Sequence, residues 1–264
     1  EDIDFDNINY YQMVISATDG SGETQYNSIS IPISNKKIFV KTQLDSFHFL
    51  NQLKKVNFSL QTIYETPIKK NVKILIQELE LPTRFIRNRL WEKPEFYRYT
   101  YQEFKQLFPD DVYEDEDQKQ HWKIKSTIYI DSIYNSDNLN IDLNKIQKAG
   151  AYKIQLNIET HNGQVDTWEN YIIIIDKKSQ NSYYLPTVLY ENQNENQSSK
   201  IQFKALGISN DYNILCIYHS RSLLDISWKK IQNNSNISYP FSKTDKGGVY
   251  FTIAGTFKNR SFTN

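Results

Sequence analysis

Along most of this chain apolar and polar residues alternate one by one, the spacing of a β-strand with one face buried. In YKIQLNIET, Tyr152, Ile154, Leu156 and Ile158 point one way, and Lys153, Gln155, Asn157 and Glu159 the other. VNFSLQT repeats the pattern with Val56, Phe58 and Leu60, NVKILIQE with Val72, Ile74 and Ile76, and KIKSTIYI with Ile124, Ile128 and Ile130. YIIIID, Tyr171 to Asp176, is apolar almost throughout and suits a strand covered on both faces. Helical periodicity is scarce. The expected fold class is all-β, built from tandem immunoglobulin- or fibronectin-like sandwiches.

Three strand–turn–strand units look alike. One begins at Tyr11 with Gly22 eleven residues on, and a second at Tyr152 with Gly163 eleven residues on. A weaker copy begins at Tyr250, with Asn259 and Arg260 near the turn. The DGSG and HNG turns supply the Gly and Asn that a tight hairpin needs for positive φ. Tyr152 and Tyr250 lie 98 residues apart, whereas Tyr11 and Tyr152 lie 141 apart, and the excess of 43 matches an odd stretch at about 82–124. Removing that stretch restores the period. The expected organisation is therefore the C-terminal hairpin of a truncated sandwich over 1–35, a sandwich with an insertion over 36–178, and a nearly complete sandwich over 179–264. NQNENQSSK, Asn192 to Lys200, reads as a polar loop in the last of these.

The odd stretch departs from alternation altogether. Pro82 to Trp122 holds ten aromatics in 41 residues, with an arginine-rich front and an acid-rich back. TYQEFKQLF reads as a short helix with Thr100 as N-cap, Glu103 completing a capping box and Pro109 ending it. Phe104, Leu107 and Phe108 would then pack against the host sandwich, because so short a segment is expected to lack a core of its own. The eight residues singled out as interdomain or partner contacts are Arg84, Arg87, Arg89, Trp91, Phe96, Tyr97, Tyr99 and Trp122. Exposed, Trp91, Phe96, Tyr97 and Tyr99 would make a stacking platform for sugar rings or a protein hot spot.

Composition narrows the partners. Lys+Arg and Asp+Glu are both 31, so the basic excess typical of nucleic-acid binding is missing. No apolar run approaches the roughly 20 residues of a membrane helix. One Cys in 264 residues leaves no internal disulfide. The chain opens at Glu1 without a signal pattern and closes just after a strand-like run, so both ends read as cut from something longer.

Catalytic chemistry finds no candidate. DDVYEDED, Asp110 to Asp117, offers six carboxylates but no Gly at the sharp turn of a calcium loop, and reads as a solvated acidic loop facing Arg84, Arg87 and Arg89. His48, His121, His161 and His219 are scattered, with no metal or Ser–His spacing. Cys216 alternates with Ile214 and Tyr218 as a buried strand residue does. No cofactor, metal or catalytic residue is expected.

The order TDGSGETQ, KIFVK and VNFSLQTIYETPIKKNVKILIQELELPTRFIRNRLW, continuing through EFKQLFPDDVYEDEDQKQHW and GAYKIQLNIETHNGQ, resembles the alpha-2-macroglobulin-like proteins of Bacteroidetes. In that family a macroglobulin-like sandwich carries an insert with an Arg-x-x-Arg-x-Arg-x-Trp element, matched here by Arg84, Arg87, Arg89 and Trp91. A helix ending in Phe-Pro and an acidic stretch closing on Trp follow, matched by Phe108, Pro109 and Asp110 to Trp122. The LPTVLYEN segment and the FKNRSF close also look like the family's following domain. The resemblance implies macroglobulin-like domains of a large periplasmic or cell-envelope protein that traps or inhibits proteases. Its partners would be neighbouring domains of the same polypeptide and, through the parent, proteases. Any membrane link would run through an anchor elsewhere. Cys216 is followed by Ile-Tyr-His, not by the x-Glu-Gln of the family's thioester, so this piece would be non-catalytic scaffold. The competing expectations are a carbohydrate-binding or adhesion array and an accessory segment of an envelope transport system.

Overall fold

A computed structural model describes the chain except residues 1–7, 83, 85, 88, 161–162, 177–186, 192–199, 207–211, 220–222, 233–234, 241–249, 258–259 and 264. The architecture is all-β. Two compact units divide it, one of residues 1–80 and 123–176 and the other of 81–122 and 177–264.

The first unit opens with a hairpin of β1 (Asn9–Thr18) and β2 (Thr24–Ile33), in which Tyr11 lies opposite Ile31 and Met13 opposite Ile29. Asp19 closes its turn by accepting the amides of Ser21 (2.9 Å) and Glu23 (3.1 Å). Gly22 there has φ 87°, a conformation that disfavours any side chain.

A sandwich follows, made of β3 (Phe39–Thr42), β4 (Phe47–Phe49), β5 (Lys55–Gln61), β6 (Lys70–Leu79), β7 (Ile124–Ser136), β8 (Asn138–Asp142), β9 (Gly150–Glu159) and β10 (Val165–Ile175). One sheet has the order β4-β10-β9-β6-β7 and the other β3-β5-β8. The inward rows of β5, β6 and β9 that alternation picked out form one buried cluster, joined by Leu139, Ile141, Ile172 and Ile174. Each such side chain contributes roughly 1.5–3 kcal/mol by leaving water. Trp168 meets Phe58 edge-on at 5.5 Å. Ile172 to Ile175 are all buried, as an uninterrupted apolar strand inside a sheet requires.

β7 corrects one expectation. Ile124, Ile128 and Ile130 are exposed, and it is Tyr129 and Ile133 that pack on the core. The pairing of β6 with β7 slips between Ile76 and Gln77 and again between Glu78 and Leu79. Each slip inserts a residue and turns the alternation over, so a regular apolar spacing in sequence no longer marks one face.

The ladder of β6 and β7 is where the odd stretch is grafted. Leu79 pairs with Ile124, and the Glu80 amide then donates to the Lys123 carbonyl at 2.8 Å. Residues 81–122 thus leave and re-enter the sandwich at a single neck.

In the second unit, β11 (Thr187–Glu191), β12 (Lys200–Leu206) and β15 (Asn236–Pro240) make one sheet. β13 (Tyr212–His219), β14 (Leu223–Ile231), β16 (Tyr250–Phe257) and β17 (Arg260–Thr263) make another, in the order β14-β13-β16-β17. Ile214, Cys216 and Tyr218 are buried in alternation on β13, as expected. The third hairpin departs from the first two. Tyr250 is exposed and Ile253 buried, the opposite parity to Tyr152 and Ile154, so this copy is displaced by one residue. The polar loop at 192–199 and His161 lie outside the described residues.

Replacing Phe58 by Ala is expected to cost about 3–5 kcal/mol, since it is fully buried against Trp168. Ile130→Thr on β7 should change stability by less than about 0.5 kcal/mol. Urea denaturation of both variants checks the pair.

Candidate functional site

Among the described residues the insert contains one α-helix, α1 (Tyr101–Leu107), and its start is as the sequence dictates. The Glu103 carboxylate accepts the Thr100 amide at 2.9 Å and the Thr100 hydroxyl at 2.8 Å, and the Thr100 hydroxyl oxygen in turn accepts the Glu103 amide. These contacts hold the Glu103 carboxyl below its ordinary range. Phe108 donates its amide to the Phe104 carbonyl (2.7 Å), and Pro109 stops the helix.

The helix does not bury the face expected of it. None of its residues is buried, and Leu107 and Phe108 are exposed. Phe104 is half-buried and turns inward to the insert itself, with its ring 5.2 Å from Tyr113 and 5.1 Å from Phe108. Tyr113 is the hub, with Tyr97 at 4.6 Å and Tyr101 at 5.4 Å. Ile86 and Val112 are fully buried. The insert therefore has a small core of its own, contrary to expectation, because three rings converge on a tyrosine that sits inside the acidic run.

The arginine front closes on the acidic back. Arg84 donates to the carbonyls of Pro109 and Asp111, each at 2.8 Å, and pairs with the Glu116 carboxylate. Arg87 reaches Asp111 through Nε at 2.8 Å and Nη2 at 2.6 Å. Arg89 donates to the Glu114 carbonyl at 2.6 Å. Glu114 itself takes φ 48°, a left-handed conformation uncommon outside Gly and Asn. Lys93 binds Asp115 at 2.7 Å, which holds that carboxyl low and the ammonium pKa high. Trp122 fastens the far end, its indole N–H donating to the Glu116 carbonyl at 2.8 Å. The acidic run is thus an engaged partner of the arginines. Two buried polar atoms here, Tyr97 Oη and Arg84 Nε, have no hydrogen-bond partner.

The remaining singled-out residues come together as a groove of about 240 Å³ inside the insert. Trp91, Phe96, Tyr97, Tyr99, Phe104 and Phe108 line it. Trp91 is 63% exposed and Phe96 87%. Arg98, which sequence reasoning passed over, also lines the groove, its guanidinium 5.9 Å from the Tyr99 ring centre. Trp122 belongs to the clamp and is not among the lining residues.

His48 donates to the Asp45 carbonyl at 2.8 Å, His121 lies 3.5 Å from Asp115, and His219 stacks on Tyr250 at 5.4 Å. Among the described residues, no group of three or more His, Cys, Asp or Glu side chains could hold a metal ion.

No family model matches the chain, and no curated protein matches it. Among solved structures it is similar to the native conformation of E. coli alpha-2-macroglobulin, at 10% identity over 96% of this chain and 18% of that one, with a TM-score of 0.31. A calcium-stabilised, ice-binding adhesin of an Antarctic bacterium aligns at 8% identity over 97% of this chain and 55% of the other, with a TM-score of 0.24. A tetra-tandem repeat from the extending region of a large adhesion protein aligns at 6% identity, over 97% and 55%, also with a TM-score of 0.24. The chain spans about half of each adhesin and under a fifth of the macroglobulin. Scores this low fall short of a common fold along the whole length.

Arg84→Ala is expected to loosen the insert alone, by about 2 kcal/mol, because it strips two carbonyls and a carboxylate of a shared donor. The readout is amide exchange, about thirtyfold faster over 81–122 with β9 unchanged. Arg84→Lys should recover little, since an ammonium lacks the fork. For pH, Asp115 and Glu103 are both depressed in the folded state, so their contribution is present above the ordinary carboxylate range and lost on acidification. Amide exchange over 81–122 should therefore be referable to one stability from about pH 5 to 9, which falls as pH drops through about 4.

Proposed function

We propose that this chain is a non-catalytic scaffold segment of a larger, alpha-2-macroglobulin-like protein of the periplasm or cell envelope, a protease trap whose reactive and bait regions lie in other parts of the polypeptide. Its partners in that role are neighbouring sandwich domains. The insert's Arg84, Arg87, Arg89 and Trp122 act from within, holding Trp91, Phe96, Tyr97 and Tyr99 in place as an interdomain contact surface.

What supports the array is the identity of two hairpins. In β1–β2 Tyr11 pairs with Ile31, and in β9–β10 Tyr152 pairs with Ile172; in each, Gly follows the Tyr by eleven residues and precedes the Ile by nine. The matching face of β9–β10, Tyr152, Ile154, Leu156 and Ile158, is covered by the β3-β5-β8 layer. On β1–β2 the equivalent Tyr11, Met13 and Ile15 are exposed together with Ile29. An isolated two-stranded hairpin is marginal in water, and its apolar row fits a second layer from a preceding sandwich.

The trap reading is tested on the longer polypeptide mixed with a broad-specificity protease. The protease is expected to keep its activity on a small peptide and lose it on a large protein substrate. Retained or lost activity on both substrates rejects the trap. The array reading is tested apart from it, by amide exchange in β1–β2, which should be fast in this chain and slow in the longer polypeptide.

A further inference from the structure

We propose that the insert groove docks a short acidic segment of a partner protein, anchored by one large aromatic side chain. The inference rests on the reading of the insert as a contact surface and not on the macroglobulin resemblance.

Size comes first. About 240 Å³ is less than a drug-sized ligand occupies and suits one large side chain. The walls are rings, and rings add directional contacts to the burial of an aromatic guest.

Charge gives the second half. Residues 81–122 hold seven Lys and Arg against nine Asp and Glu, yet the lining of the groove holds Arg87, Arg89 and Arg98 against Asp111 alone. Arg87 is spent on Asp111, while Arg89 is bound to a backbone carbonyl and, although Asp115 feels its charge, forms no salt bridge among the described residues. Arg98 is exposed, its guanidinium 5.9 Å from the Tyr99 ring centre, and makes no salt bridge among the described residues. Two cationic groups thus stand over an apolar trough in a segment that is otherwise slightly acidic. A carboxylate beside an aromatic anchor satisfies both at once, and Arg can hold it bidentately.

Two other occupants fit less well. A sugar ring would stack on Trp91, but its hydroxyls also need acceptors, and the one carboxylate of the lining is taken by Arg87. An anionic membrane would be attracted to Arg98 but would also meet Glu92 and Glu95, which are exposed next to Trp91 and Phe96.

The test pans the whole chain against a random dodecapeptide display library, with Arg98→Glu as the counter-selection. Arg98 takes no part in the clamp, so that variant should keep the wild-type melting temperature. Enriched peptides are expected to share a large aromatic flanked by Asp or Glu. Calorimetry of the best of them should show binding at least tenfold weaker to Arg98→Glu and to Trp91→Ala, and weaker with added salt. Absence of enrichment, enrichment of basic peptides, or equal binding to Arg98→Glu overturns the proposal. So does binding to a glycan array or to phosphatidylserine vesicles that Trp91→Ala abolishes while no peptide binds. In each of these cases the hairpin exchange and protease experiments keep their own outcomes, so failure here is separable from failure of the scaffold.

Discussion

A chain that leaves a β-ladder for 42 residues must still satisfy its backbone carbonyls, and a single seven-residue helix satisfies few of them. In this insert turn amides meet part of the demand, and the Arg87 amide gives a bond to the Asp110 carbonyl, but several carbonyls take their donors from side chains. Arg84 serves Pro109 and Asp111, Arg89 serves Glu114, and Trp122 serves Glu116. Because these donors lie at the two ends of the segment and their acceptors in the acidic run, meeting the backbone's demand also draws front and back together. The ring cluster around Tyr113 and the groove beside it follow from that closure. A ladder of strands would have met the same demand locally, without bringing distant side chains to one place.

The parts of this arrangement that the sequence displays are those written in local rules. The capping box at Thr100 and Glu103 depends on a three-residue spacing. The hairpins at Gly22 and Gly163 depend on which residues tolerate positive φ, and the inward rows of β5, β6 and β9 on simple alternation. Opposite charges at 84–89 and 110–117 made their pairing legible as well. What stayed hidden is non-local. Slips in the β6–β7 register overturn the apolar spacing of Ile124, Ile128 and Ile130. The groove exists only because residues 87–99 come to lie beside 104–112, and neither segment alone carries a periodicity that marks it. Tyr113 carried a faint signal as the one aromatic among six acids, a poor place for a ring unless other rings surround it.

The division of labour inside the insert bears on function. Its charged residues are mostly spent inward, on carbonyls and carboxylates, so they act as fastenings. Its aromatics split between the ring cluster, where Tyr97 and Phe104 touch Tyr113, and the rim, where Trp91 and Phe96 meet water. Aromatics fastened this way have little conformational freedom left to lose in a contact. The sandwich whose ladder it interrupts can tolerate such an addition because its own core closes without it.

The neck between Glu80 and Lys123 gives the insert a mechanical character as well. While the β6–β7 ladder holds, those 42 residues are length stored behind its backbone hydrogen bonds and behind the arginine contacts of the insert itself. If both part, that length is released, and at the contour length of an extended chain it amounts to about 140 Å. For a chain of sandwich domains, this one loop is a reserve of extensibility several domain diameters long.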